Sequence, residues 1–238
     1  MNFLQLCQRM VTECGVSGTL STTLNQVGEQ ARIVNWVNQG WLETQLEHDD
    51  WKFMRSSVLL GGGASFATVA GQANYQLGTG SGTVGIAAAD FGKWDPRSFR
   101  LFTTSVGYFN EWFLDWITFE EWRDSYMLGA MRNVQTRSVA VAIGPDKSVC
   151  LGPPPNNEYT VTADYYTAPT QMSADTDLPT GLPDQYHMII IYKAMQFYAA
   201  YEAAPEVQER GDAGYARMLA QLEGVYGPSI AFAGALDG

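Results

Sequence analysis

WVNQGWLETQLEHDDWKF, Trp36 to Phe53, sets three tryptophans, a lone glycine and the run His48–Asp49–Asp50 into one short window. Val34, Val37 and Trp41 recur at helical spacing with Ile33 and Trp36 beside them, which predicts a helix from about Gln26 to His48 with a wide buried arc. Gly40 lowers helix propensity but leaves room for another element to approach. Glu47, Asp49 and Asp50 then oppose the helix dipole at its C-terminus, a natural stop. An acid–base or metal site at His48 would need convergent partners, and neighbours in sequence rarely point at one spot. The segment reads as a helix end and hinge.

Outward from this window the chain divides into helical, strand-rich and helical thirds. Residues 2–14 form a short predicted helix ended by Gly15, and SGTLSTT connects it to the second. Beyond Phe53 the composition shifts to GGGASFATVAGQANYQLGTGSGTVG, glycine-rich and uncharged, which reads as strands joined by flexible loops. Strands are expected at 99–106, 137–143, 148–152 and 159–166. Val139, Val141 and Ile143 alternate with smaller residues, as do Tyr159, Val161, Ala163 and Tyr165, the period of a half-buried sheet. GPDK makes a turn, so 137–152 is a hairpin. Thr118 and Glu121 form a capping box for a short helix near 118–127, with Phe119, Trp122 and Tyr126 on one face.

Helix returns near the C-terminus. Pro183 and Asp184 suit a first helical turn, and Ile190, Ala194, Phe197 and Tyr201 form a stripe. Pro205 stops that helix and starts another, whose Val207, Gly211, Tyr215, Met218, Leu222 and Val225 step by four and three until Gly227–Pro228. The expected class is α+β, a helical bundle closed by both chain ends with a β-rich antiparallel insertion. Residues 1–53 and 173–227 supply the bundle, 54–172 the insertion, and 228–238 an extended tail.

Composition limits the function. The 238 residues carry a net charge of −11 and only 16% charged side chains against 46% hydrophobic ones. Wrapping nucleic acid needs Lys and Arg, so the charge argues against it, although an acidic wall could let DNA slide past. Few charges imply surface buried against copies or partners. Cys7, Cys14 and Cys150 have no CxxC spacing, and the first two stand roughly 10 Å apart on a helix, too far for a disulfide. A sparse, odd set suits a reducing compartment. MNFLQLCQRMV shows neither a basic leader nor a cleavage site, and no apolar run reaches membrane length, so cytosol-like conditions and no membrane are expected.

No catalytic constellation, cofactor motif or metal set emerges. GTGSGTVG (78–85) lacks the GK[ST] and the following helix of a phosphate loop and reads as a hairpin tip. His187, at the start of an apolar-striped helix, reads as a satisfied structural histidine. Asp115, Glu120, Glu121 and Asp124 could pair as a glycosidase dyad only at a separation sequence does not give, and Glu121 already caps a helix. What remains is aromatic surplus. YFNEWFLDWITFEEW (108–122) is too dense for a core alone, which nominates Trp112, Trp116 and Trp122 for a subunit interface. The competing use is an aromatic-rich glycan-binding module, with the same three tryptophans as platforms.

The C-terminal third then becomes familiar. A hairpin ending in GPPP, YTVTADYY, LP before a helix, FYAAYEAAPE and an amphipathic YARMLAQLE, together with ARIVNWVNQGWLETQLEHDDWKFM and LDWITFEEWRDSY, resemble the head–tail adaptor (connector) proteins of tailed bacteriophages. The resemblance spans nearly the whole chain, 61–93 being least characteristic. It implies a virion structural protein of the neck, assembled in the host cytoplasm. Such proteins form a ring, usually twelvefold, that binds the portal protein and a downstream tail protein, a nozzle or stopper, while DNA passes through the bore unbound. It also implies no enzymatic activity and no cofactor. In the tail PSIAFAGALDG, Ile230 and Phe232 alternate with small residues and Leu236 adds a third apolar anchor. Because relatives present C-terminal elements to the portal, these three become candidate docking residues.

Overall fold

The structure, a computed structural model, describes residues 1–227. Its helices are α1 (Phe3–Cys14), α2 (Gly28–Leu46), α3 (Phe119–Tyr126), α4 (Met188–Glu202) and α5 (Pro205–Tyr226). The strands are β1 (Arg55–Ser56), β2 (Ala64–Ala67), β3 (Asn74–Tyr75), β4 (Phe91–Trp94), β5 (Arg100–Thr103) and β6 (Trp112–Phe113). They continue with β7 (Asp115–Trp116), β8 (Ala140–Ile143), β9 (Val149–Gly152), β10 (Tyr159–Ala163) and β11 (Tyr165–Thr167). The class is α+β, as the residue patterns imply. The chain forms two compact units, Met1–Met54 with the residues from Pro169 onward, and Arg55–Ala168.

In the first unit the helix ends follow local chemistry. Asn2 and Gln5 make a reciprocal capping box at the start of α1, both bonds 2.9 Å, and Gly15 at φ +65° closes the helix in the left-handed region. Apolar residues of α1, α2, α4 and α5 share one core, with Phe3, Ile33, Trp41, Trp51, Ile190 and Leu222 all buried. The approach allowed by Gly40 is used: a Cβ there would stand 2.9 Å from the Ile190 carbonyl oxygen, so α2 and α4 nearly touch backbone to backbone.

Two expectations about α4 need correcting. The α-helix begins at Met188, because Asp184–Tyr186 forms a 3-10 turn after an extended Pro183. Its burial is not one stripe either. Ile189, Ile190 and Ile191 are all inaccessible, since α4 meets α1, α2 and α5, while Tyr201 at the far end is exposed. The extended segment before it is held by side chains of α2. Asn38 exchanges bonds of 2.7 and 2.9 Å with the Met172 backbone, and Gln45 does the same at Thr170, 2.9 and 3.0 Å. Two amides seven residues apart thus stand in for a missing strand.

The second unit holds three sheets, ordered β1-β11-β4, β2-β10-β5-β6 and β3-β9-β8-β7. The named strands pair antiparallel except β7 and β8, which run parallel, and a parallel bridge also joins Thr136 and Pro155, so a purely antiparallel insertion is corrected. The expected strand 159–166 is two strands broken at Asp164. Its backbone N–H donates to Ser98 Oγ (2.8 Å), while its carboxylate accepts from Arg55 (2.9 Å) and the Val58 N–H (2.9 Å). β8 and β9 form the expected hairpin, with Lys147 at φ +65° in its turn. The hairpin is not half-buried as its alternation suggests: Ala140, Val141 and Ala142 are all buried. The reason is α3, which lays Trp122 over Ala142 and Cys150 on the second face. At 78–85 the loop is closed by a Gly78–Ile86 bridge and by Thr83 Oγ1 donating to Gly78 O at 2.7 Å.

Candidate assembly surface

The three nominated tryptophans sit within the second unit in different surroundings. α3 starts as the sequence dictates. Thr118 N–H donates to Glu121 Oε2 at 2.9 Å and the Glu121 N–H donates back to Thr118 Oγ1 at 3.2 Å. The bonds from Thr118 hold the Glu121 carboxyl below the usual carboxylate range. This cap aims the other face of α3 inward, so Trp122 is only 6% exposed, stacks on Phe119 at 5.5 Å, and donates its indole N–H to Leu151 O at 3.0 Å. Trp122 is a core residue, which corrects its place among the contact candidates. Trp112 is half-buried, edge-on to Tyr159 at 6.1 Å, with the Arg137 guanidinium over its ring. Trp116, on β7 at the margin of its sheet, is 42% exposed.

Sequence reading missed the most prominent side chain. Phe109 is fully exposed, on a turn where Tyr108 lies against Phe102 at 4.7 Å between ring centres. That turn is fixed by Asn110, whose side chain accepts from the Thr103 N–H (3.1 Å) and donates to Thr103 Oγ1 (2.8 Å). The ring is therefore presented by a tied loop. The only sequence signal was the Phe-Asn pair inside an aromatic run, which does not say which ring points out. Beside this turn lies a cleft of about 800 Å3, lined by Arg55, Arg100, Asp164 and Glu111 and rimmed by exposed Leu59 and Leu60. Arg55 bridges Asp95 (2.6 Å) and Asp164 (2.9 Å), Arg100 faces Glu111 at 3.6 Å, and Arg97 adds a third cation to the lining.

The titratable groups singled out in the sequence have structural partners. His48 turns to Glu223 of α5 at 2.8 Å and packs edge-on to Trp51, so HDDW ties the end of α2 to α5. His187 is buried, its Nε2 3.1 Å from Leu182 O and its Nδ1 2.6 Å from the Met1 amine, and burial lowers its pKa. Burial likewise pushes the Cys7 and Cys14 thiols up to about 12, which favours the protonated form over the nucleophilic thiolate. Among the described residues no three His, Cys, Asp or Glu side chains converge as metal ligands, and no helix is long and apolar enough to cross a membrane. Ile230, Phe232 and Leu236 lie outside the described residues.

What this geometry offers is protruding apolar and aromatic side chains on tied backbone, the composition of protein–protein contact surface. No curated protein matches the chain. The family model of the SU10 adaptor protein matches residues 1–230, and the chain belongs to that family of phage head–tail adaptors.

Proposed function

We propose that this phage structural protein is one subunit of a twelvefold ring in the virion neck, joining the portal protein to the next tail protein, a nozzle or stopper. DNA passes through the bore without specific binding. The observation that carries the reading is the family match across nearly the whole chain. The net charge of −11 supports it, because a bore lined by carboxylates repels phosphate and adds no sticking sites. Exposed Phe109 and Trp116 support it as surface available for burial.

In this reading the protein works by binding alone, with no turnover and no cofactor. The helices of the first unit act as a closed bundle, the rigid part of the subunit. Trp116, and Trp112 beneath Arg137, belong to subunit contacts. Ile230, Phe232 and Leu236 dock on the portal; burying all three contributes roughly 4 to 8 kcal/mol before ordering costs. Assembly takes place in the host cytoplasm. A glycan platform has less support: Trp122 is buried and Arg137 covers Trp112, so a planar array of three open rings is missing.

The test is sizing of the purified protein with and without its portal. Small species that become a defined large complex on portal addition support the reading, and truncation after Gly227 abolishes that complex while leaving the melting temperature unchanged. Absence of any complex with the portal refutes it.

A further inference from the structure

We infer that the strap Met127–Val139 docks on the α4–α5 corner of a second copy of this chain, making the head-to-tail contact of the ring. The inference rests on the ring reading above and adds which surfaces meet.

The strap runs from the end of α3 to β8 and is exposed from Leu128 through Arg137. Leu128, Met131, Val134 and Val139 are the large apolar side chains it turns to solvent. It is nevertheless well tied. Residues Gly129–Asn133 form a 3-10 turn, and Arg132 donates through Nε and a terminal nitrogen to Met127 O, at 3.2 and 3.0 Å. Thr136 exchanges backbone bonds with Pro154 and Asn156, 3.0 and 3.1 Å, and Ser138 Oγ donates to Pro153 O at 2.7 Å. An exposed apolar segment whose backbone is already ordered avoids much of the entropy cost of docking.

Charge selects the occupant. From Ser125 to Pro145 the chain has two arginines, Arg132 and Arg137, and no acid, in a protein whose net charge is −11. Two such copies repel unless the contact joins opposite local charges. The corner between α4 and α5 supplies them. Glu202 at the end of α4 and Glu206, Glu209 and Asp212 in the first turns of α5 are exposed, as is Tyr201 at 57%. Glu206 and Glu209, three residues apart in the first turns of α5, project from one side. Of the cations near this corner, Arg210 is directed to Glu13, with its guanidinium bonded to the Glu13 carbonyl and 3.8 Å from its carboxylate, and Arg32 lies over one face of the Tyr201 ring at 4.6 Å, so the four exposed acids outnumber the cation left among them. Arg132, whose guanidinium keeps N–H groups beyond the two donated to Met127 O, and the apolar side chains of the strap thus face carboxylates, while Arg137 stays over Trp112. Because the two surfaces differ, the contact is heterologous, and repetition closes a ring when the rotation per subunit allows.

A charge-exchange experiment tests it. One variant carries Arg132→Glu, the other Glu206→Arg with Glu209→Arg, and each is checked for a wild-type melting temperature. Assembly with the portal is followed by mass photometry. Each variant alone loses subunit association by about tenfold or more. Mixed one to one, they associate again, because every strap then finds a corner of opposite sign in an alternating ring. If Arg132→Glu does not fold, Leu128→Ser with Met131→Ser replaces it and loses association in the same way. Association of either charge variant alone at wild-type level overturns the inference, as does failure of the folded pair to recover. Variants that keep their rings but lose the portal place the strap on the portal and also overturn it. A wild-type chain that forms no ring on the portal refutes the ring reading itself, and this inference with it.

Discussion

Replacing Gly40 by alanine adds one methyl where α2 crosses α4. In an isolated helix the change is favourable by about 1 kcal/mol, the propensity difference between the two residues. Here the new Cβ lies 2.9 Å from the Ile190 carbonyl oxygen and 3.2 Å from the Ala194 nitrogen. Both are backbone atoms of the central helix, so no side chain can swing away and α4 itself must shift. Overpacking of this kind costs about 1 to 3 kcal/mol, toward the upper end when backbone has to move. The net expectation is a loss of about 1 to 2 kcal/mol. Gly224 is the matched control. It lies in α5, where an added methyl would meet nothing within 4 Å, so Gly224→Ala gains up to about 1 kcal/mol. Thermal unfolding followed by circular dichroism at helical wavelengths reads both variants. A raised midpoint for Gly40→Ala, alongside Gly224→Ala, would refute the close approach of α2 and α4.

Three further outcomes follow from named contacts. His187 has its pKa lowered from 6.5 by burial, so below that pH the unfolded chain binds more protons than the folded one. Stability is full above about pH 6.5 and falls as pH drops beneath it, and His187→Asn flattens that slope in urea titrations. Asn38→Ala strands the Met172 N–H and C=O and costs about 2 to 3 kcal/mol, with faster amide exchange at Met172 as the local readout. Asp164→Ala removes one carboxylate from Arg55 and the acceptor of the Val58 N–H, lowering stability by about 2 kcal/mol in denaturant unfolding.

Local signals in the sequence were reliable where one residue settles its own backbone. Gly15 ends α1, Thr118 and Glu121 cap α3, and Pro205 opens α5, each through chemistry confined to a single turn. Gly40 was legible too, since a glycine inside an apolar helix signals a close neighbour. What the residues did not reveal depends on partners distant in the chain. Alternation at 139–143 marks a strand but says nothing of α3 arriving to cover its second face. The same arrival buries Trp122, which in the one-dimensional aromatic run looks no different from Trp116. Asp164 sits in a clean alternating pattern, and only its meeting with Arg55, Ser98 and Val58 explains the break between β10 and β11. The all-round burial of α4 has the same origin. Three consecutive isoleucines announce a buried helix, but the number of neighbours is a property of the packing. Phe109 was hidden for the converse reason, since exposure of a ring follows from how Asn110 ties its turn.

The adaptor role is tested most directly by electron microscopy of the purified chain bound to its portal. The expected image is a closed ring of twelve copies seated coaxially on the portal, with an open bore wide enough for a DNA duplex to pass. Isolated subunits scattered on the portal, or a ring with its centre blocked by protein, would contradict it.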